Sequence, residues 1–600
     1  MKRLTLRVGL YLVAGGILAG CGTMRSYDSE LGDSTSKLAA GQVDLALQAH
    51  EQKNSSADKD LLYYFEKGEM LRLKKSFVDS RDAWLKADEQ ISIWEEDART
   101  DPEKYLKSVG SVLVNDNTRR YDGYDYEKVL LSSFLALDHV SGGDWNAART
   151  EVKKSHEREA LILELNAKKY AKVEEEAGKN RKVKTSFSTL KGYPVETLDD
   201  PEVVALRNGY QSAFSHYLAG FVYEALGESS LAAAGYRQAI ELKPETGILK
   251  EGLGGLDTRV SAARRATDTD VLFIVESGLV PARQSMEVSI PIPTSSGPII
   301  NRISFPVLRP DRSAYIPPEI VIDSRASVPI TPVTSIDAMS RRVLRDDMPG
   351  IILRTTVRAT TRGVAQAAIG REVGRQFGAL GGLLANAASS AANVVVERAD
   401  ERSWRTLPAH LSIGRTRLPA GTHNLSIPTA AGWRSITVTV SGKHAVVPLR
   451  MIGNHLYVLH ESGAANVQVA APGAEAKPVP VSAKMTVTAV AARVPASTVT
   501  TSTIVSTSTS AVSAPVSVAT PPPVPGKLRP ETAVSEAPAI PGDSSCSGGR
   551  LADRFRCANQ TSAVSAPTDQ ATSPPDSESP SCTGGLAERF RCTKQSGGTI

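Results

Sequence analysis

His216 to Pro244 reads HYLAGFVYEALGESSLAAAGYRQAIELKP, and this stretch decides the architecture of the first half of the chain. Apolar residues recur at i, i+3 and i+4, the period of a helix with one buried face. Gly220 and Ala232 are small where two helices would cross closely, and Tyr223 and Tyr236 would fill the space beside that crossing. Ala239 extends the same buried face. Gly227 ends the first helix, because glycine takes the left-handed conformation of a helix terminus. Pro244 stops the second, because proline lacks the amide that a helix interior needs. The stretch is predicted to be a helical hairpin.

The pattern recurs. Phe65 to Asp88 carries Gly68, Leu71, Phe77, Trp84 and Ala87, with Ser80 where an alanine is expected. Leu131 to Ser155 carries Ala136, Gly143, Asp144, Trp145 and Ala148. These spacings resemble the tetratricopeptide repeat. The resemblance implies stacked helix pairs whose inner helices line a concave surface suited to a peptide or helix. Residues 58–265 are therefore predicted to be a tetratricopeptide-like helical domain. Lys168 to Lys184 reads as a solvated helix end, and residues 21–57 as a polar tether merging into a first helix at Leu38 to Gln52. The loop Tyr121-Asp-Gly-Tyr-Asp-Tyr-Glu127 is expected to cap one hairpin and pack its rings on the next.

Near residue 268 the character changes. Asp270 to Glu276 is an apolar run bounded by charge, and Val288 to Pro293 and Arg302 to Leu308 are β-branched runs broken by prolines, as in edge strands. Ala409 to Leu459 holds a second strand group that reads as a small antiparallel β-domain, with a turn at Gly421. Between them, residues 336–402 are predicted to be helical. Gly370, Gly374, Gly378 and Gly382 recur every fourth residue there, and Gln376 to Val396 carries no charge. That stripe reads either as a glycine zipper joining helices in lipid or as a buried hairpin. Asn386, Ser389, Ser390 and Asn393 favour the latter, since polar groups are costly in hydrocarbon. Arg354, Arg358 and Arg362 share one helix face, expected to be solvated. The fold class is thus α+β multidomain: the helical repeat domain 58–265, a mixed α/β domain 266–461 with antiparallel strands and a glycine-rich insert 336–402, and a disordered tail 462–600 rich in Ser, Thr, Pro and Ala.

The N-terminus has a basic start (Lys2, Arg3, Arg7), an apolar run from Val8 to Ala19, and the box Leu18-Ala19-Gly20-Cys21. Residues 1–20 read as a secretory signal. The box resembles that of bacterial lipoproteins, which implies cleavage before Cys21, acylation of its thiol and amine, and stable anchoring by several chains. Gly22, in place of an aspartate, favours the outer membrane by the same analogy. The other four cysteines close two copies of one motif, Cys546-SGGRLADRFR-Cys557 and Cys582-TGGLAERFR-Cys592. An even set in an oxidising compartment reads as two disulfides, Cys546–Cys557 and Cys582–Cys592, among three formal connectivities. The two rings read equally well as a bivalent ligand or as staples against proteolysis. Zinc fits poorly, because the spacings lack close Cys pairs and no histidine lies nearby.

The net charge of +5 over 600 residues gives no footprint for nucleic acid. No phosphate loop, nucleotide-binding fingerprint, zinc-protease motif or nucleophile elbow occurs, and no metal or cofactor is implied. Among the nine histidines, His139 and His216 read as packing residues, and the acidic pairs Glu95-Glu96 and Asp199-Asp200 as solvated. The order of these pieces resembles a little-characterised family of Gram-negative outer-membrane lipoproteins, above all in Ala399-DERSWRTL-Pro408 and in Tyr121 to Glu127. The resemblance covers residues 18–460 and implies an envelope location and protein binding, with no catalytic residues. The resulting expectation is a lipid-anchored, non-enzymatic scaffold facing the periplasm. Its partners would be periplasmic or outer-membrane proteins, with peptidoglycan as a further contact. The alternatives are a regulator of peptidoglycan synthesis and a secretion or surface-assembly component that self-associates through the glycine stripe.

Overall fold

The computed structural model describes residues 26–104, 120–181, 183–263, 267–294, 297–361, 398–460 and 467–468. Leu18 to Cys21, the four glycines of the stripe, Arg362, the long tail and Cys546, Cys557, Cys582 and Cys592 lie outside the described residues. The molecule is a mixed helix-and-sheet protein.

Helices come first: α1 (Tyr27–Ala39), α2 (Val43–Lys53), α3 (Leu61–Leu73), α4 (Phe77–Thr100), α5 (Asp125–Ser141), α6 (Trp145–Lys179), α7 (Pro201–Ala205), α8 (Ala213–Ala225), α9 (Ser229–Leu242), α10 (Gly247–Gly254) and α11 (Leu256–Ala263). Three hairpins, α3/α4, α5/α6 and α8/α9, sit where the sequence places them. Their packing repeats. A Cβ at Gly68 would lie 2.2 Å from the Trp84 indole, and one at Gly220 would lie 2.7 Å from the Tyr236 ring. Each glycine lets the large ring of the second helix lie on the backbone of the first. Ala136, Ala148, Ala232 and Ala239 are fully buried, and Tyr223 nearly so. Ser80 keeps the alanine position because its hydroxyl donates to Gly68 O at 2.8 Å. The three tight turns share a left-handed residue: Lys75, Gly143 and Gly227, with φ of 65°, 81° and 78°.

The hairpins are layered. α3, α5 and α8 are buried almost all round, whereas α4, α6 and α9 bury only one stripe. What covers the inner helices is a sheet of strand order β11-β10-β1-β7-β6, built from β1 (Asp268–Ser277), β6 (Thr331–Ser335), β7 (His410–Pro419), β10 (His444–Ile452) and β11 (His455–Val458). Strand alternation divides β1 between two cores. Leu272 and Ile274 join the helical core, while Val271, Phe273 and Val275 face a second sheet. That sheet has the order β12-β9-β8-β4-β5, from β4 (Glu319–Ile322), β5 (Ala326–Pro329), β8 (Gly421–Thr429), β9 (Gly432–Val440) and β12 (Val467–Gln468). Among the described residues, β2 (Arg283–Thr294) and β3 (Gly297–Leu308) pair only with each other, in keeping with their prolines. A helix α12 over 336–361 packs Leu344, Met348 and Ile352 against the base of this hairpin.

Several expectations change. The passage from helix to strand near residue 265 is not a break in the core, because residues of α3, α5, α8, β1, β7 and β10 share one hydrophobic cluster. The strand group 409–459 is not self-contained. β1 lies between β10 and β7, and its pairing with β10 is parallel. The turn at Gly421 is a corner where the chain passes from the first sheet to the second. The helix expected at 38–52 is two helices broken at Gly41 (φ 77°), and both are folded onto the body. Residues 398–404 are not helical, and Arg358 is buried rather than solvated.

Lys75 occupies a conformation that costs an L-residue about 1 kcal/mol. Lys75→Gly is expected to stabilise the fold by roughly 0.5–1 kcal/mol, read as an upward shift in the urea midpoint at unchanged slope.

The β4–β5 turn is tied to β8 by His423, whose Nδ1 lies 2.7 Å from Asp323 Oδ2 and whose Nε2 lies 2.8 Å from Pro419 O. Desolvation lowers the imidazole's pKa, but the two acceptors outweigh it and the net shift is upward. The same contact, with the Asn424 amide, holds the Asp323 carboxyl below its ordinary value. The pair stabilises this corner fully between the ordinary values of the two side chains, roughly pH 4 to 6.5. The histidine contribution is lost as pH rises through the raised value, and the aspartate contribution as pH falls through the lowered one. NMR titration of the His423 ring should give a pKa above about 6.5, and Asp323→Asn should lower it.

Candidate functional site

The loop Tyr121–Glu127 and the segment Ala399–Pro408, more than 270 residues apart, meet in the interior. Trp404 sits between the inner helices, its indole stacked on Phe65 at 4.3 Å and edge-on to Trp84 at 5.9 Å. Two buried glutamates hold the backbone around it. Glu127 accepts from the Trp404 amide at 2.7 Å, from the Tyr124 amide at 2.9 Å, and from the hydroxyls of Tyr121 and Tyr126. Glu66 accepts from the amides of Arg405 at 2.7 Å and Thr406 at 3.1 Å, and from the Tyr27 hydroxyl. Burial pushes the Glu66 carboxyl up to about 7, and these hydrogen bonds pull against it. Burial raises Glu127 in the same way. The tyrosine loop thus packs its rings as expected, but onto one another and onto the 398–408 segment. Tyr121 meets Tyr124 edge-on at 5.8 Å, Tyr124 stacks on Tyr126 at 6.0 Å, and Arg283 lies 4.5 Å over Tyr124.

Below this seam, five charges with almost no exposure join helices to sheet. Arg72 of α3 pairs with Glu69, with Asp138 of α5 at 3.1 Å and with both oxygens of Glu276 of β1. Arg450 of β10 contacts Glu69 and donates to the carbonyls of Gly278 at 2.6 Å and Thr406 at 2.9 Å. Three carboxylates face two guanidinium groups. Desolvation raises the Glu69 carboxyl and brings that of Asp138 to about 6, with the arginines pulling both the other way.

A second clamp joins α8 to the sheet. Arg415 of β7 holds Glu224 at 2.9 Å and Asp270 at 2.8 Å, and Arg259 holds Glu224 at 2.8 Å. Glu224, Asp270 and His444 lie close enough to ligate a cation. The Arg415 guanidinium already bridges the two carboxylates, so the trio is a poor fit to a metal. Acids expected to be solvated also serve buried arginines: Glu95 pairs with Arg158 at 2.9 Å and Asp200 with Arg341 at 2.9 Å. His216 is a packing residue, stacked on His156 at 5.1 Å beside Glu159.

Beside the seam opens a cleft of about 220 Å³ between α4, α6, α12, the tyrosine loop and residues 398–402. Trp94, Leu161, Leu165, Val173 and Ile351 supply apolar wall, and Arg283, Arg354, Arg358 and Arg402 supply charge. α12 can approach α6 because residue 350 is glycine. A Cβ there would lie 3.2 Å from Val173 and 3.1 Å from the Arg354 guanidinium.

Glu66, Arg72, Glu276, Arg415 and Arg450 were not singled out as site residues by sequence. Their one available signal was the charge at both ends of β1. Asp270 and Glu276 are an even number of residues apart, so both fall on the helix-facing side with Leu272 and Ile274. The chain matches no protein-family model, and no curated protein matches it at a significant level.

Glu127→Ala would leave four buried donors unpaired. It is expected to destabilise the fold by about 3 kcal/mol, with Glu127→Gln intermediate, measured by chemical denaturation.

Proposed function

We propose that this protein is a lipid-anchored adaptor of the bacterial envelope, held at the periplasmic face of the outer membrane by acylated Cys21. The observation that carries the adaptor reading is the use of the buried ionisable groups. The Arg72, Arg158, Arg341, Arg415 and Arg450 clusters each tie one part of the body to another through paired charges. Such pairing makes a stiff body rather than a reactive one.

The finer reading treats the three helix pairs as tetratricopeptide-like, with one departure. The inner helices, which in such arrays line the partner groove, are covered here by the protein's own sheet and by Trp404. Partner contact therefore belongs to the outer helices and the tail. On α4, Val78, Leu85 and Ile93 are 64%, 42% and 56% exposed and offer apolar contacts on an outer helix. The two tail motifs ending at Cys557 and Cys592 would give a second, bivalent contact. No described helix is long and apolar enough to cross a membrane.

Crosslinking in intact envelopes followed by mass spectrometry tests the adaptor. Recurrent protein partners at α4 and at the tail are expected, with the tail set lost on removal of residues 462–600. Recovery of lipid alone would overturn it. Cys21→Ser should move the protein to the soluble fraction.

A further inference from the structure

The cleft beside the tyrosine loop has a composition that the adaptor reading does not use. Eight basic and five acidic side chains line it, together with the apolar wall from α4, α6 and α12. Four of those acids already serve neighbouring cations: Asp347 with Lys169 at 2.7 Å, Asp122 with Arg120 at 2.8 Å, Asp400 with Arg402 at 2.8 Å, and Asp125 with Lys128 at 3.8 Å. The fifth, Glu95, is held by Arg158. By count over the described residues the lining is net positive, and six of its eight basic groups are guanidiniums, whose planar fork matches a carboxylate or phosphate. Arg283 is buried and oriented, with its Nε on the Asp400 carbonyl at 3.3 Å and its plane over Tyr124.

Charge alone would suit any small anion. The wall adds a second requirement. Leu161, Leu165 and Val173 of α6 and Ile351 of α12 line the same space. A ligand that covers both surfaces needs an anionic head and an apolar body. We propose that this cleft binds an anionic amphiphile, with a phosphate or carboxylate head on Arg283, Arg354 and Arg358 and an alkyl chain along α6. The proposal does not rest on the adaptor reading, since its argument uses only the described lining of this cleft.

The test is isothermal titration of the full-length chain carrying Cys21→Ser, so that no acyl chain at that cysteine competes. The probes, below their micelle concentrations, are dodecyl phosphate, dodecanoate, dodecanol and inorganic phosphate. Saturable single-site binding is expected for at least one of the two anionic amphiphiles, at least tenfold tighter than for dodecanol or inorganic phosphate. The tighter of the two identifies the head as a phosphate ester or a fatty acid. Arg354→Gln with Arg358→Gln should weaken binding at least tenfold while the thermal melt stays cooperative. Should that pair fail to fold, Gly350→Leu, which fills the cleft between α6 and α12, should weaken binding equally. Absence of saturable binding by both anions would overturn the proposal. So would equal binding of dodecanol, equal binding of inorganic phosphate, or unchanged affinity in a folded cleft variant.

Discussion

Arg72 holds three carboxylates in a space closed to water. One comes from its own helix, one from α5 and one from the central strand β1. No neighbouring element can shift without stranding a charge, and an unpaired buried charge costs several kcal/mol. Arg450 completes the lattice from β10 and reaches the backbone at Thr406. The position of the inner helices on the sheet therefore depends on polar geometry as well as on apolar area. Hydrophobic contact alone tolerates sliding, whereas a forked guanidinium between fixed carboxylates does not.

The 398–408 segment is the second dependence. It has no regular secondary structure up to β7, so its backbone amides need partners from elsewhere. Glu66 and Glu127, on two different inner helices, supply them, and Trp404 fills the apolar space between. A strand-free stretch thereby becomes a wedge between two hairpins. The cleft lies against the same segment, because Ala399, Asp400 and Arg402 form one wall of it.

Much of the helical half was legible in the sequence. Small residues at 68 and 220 and aromatics at 84 and 236 gave the hairpins, because helix crossing constrains size at fixed spacing. The short β-branched runs gave strands for a similar reason. Sheet order was not legible: β1 inserts between β10 and β7, and nothing local to residues 268–277 records that pairing. The clamps were hidden for another reason. A lone Arg72 or Arg450 reads as surface until its partners, as distant in sequence as Glu276 is from Arg72, are brought beside it. Arg358 misled in the same way, since helical periodicity shows which residues share a face but not whether that face is wet.

The docking of α1 and α2 has a mechanical consequence. Leu31 and Leu38 of α1 share a cluster with Ile452, Tyr457 and Leu459, and the Tyr457 hydroxyl meets the Leu38 carbonyl. The first helix is thus riveted to the edge of the first sheet. It is also tied to the wedge, since the Tyr27 hydroxyl donates to Glu66 and Arg405 pairs with Asp28 at 3.0 Å. A pull on α1 would be shared between a sheet edge and the segment that carries Trp404, so the outermost helix doubles as a strap across the interior seam.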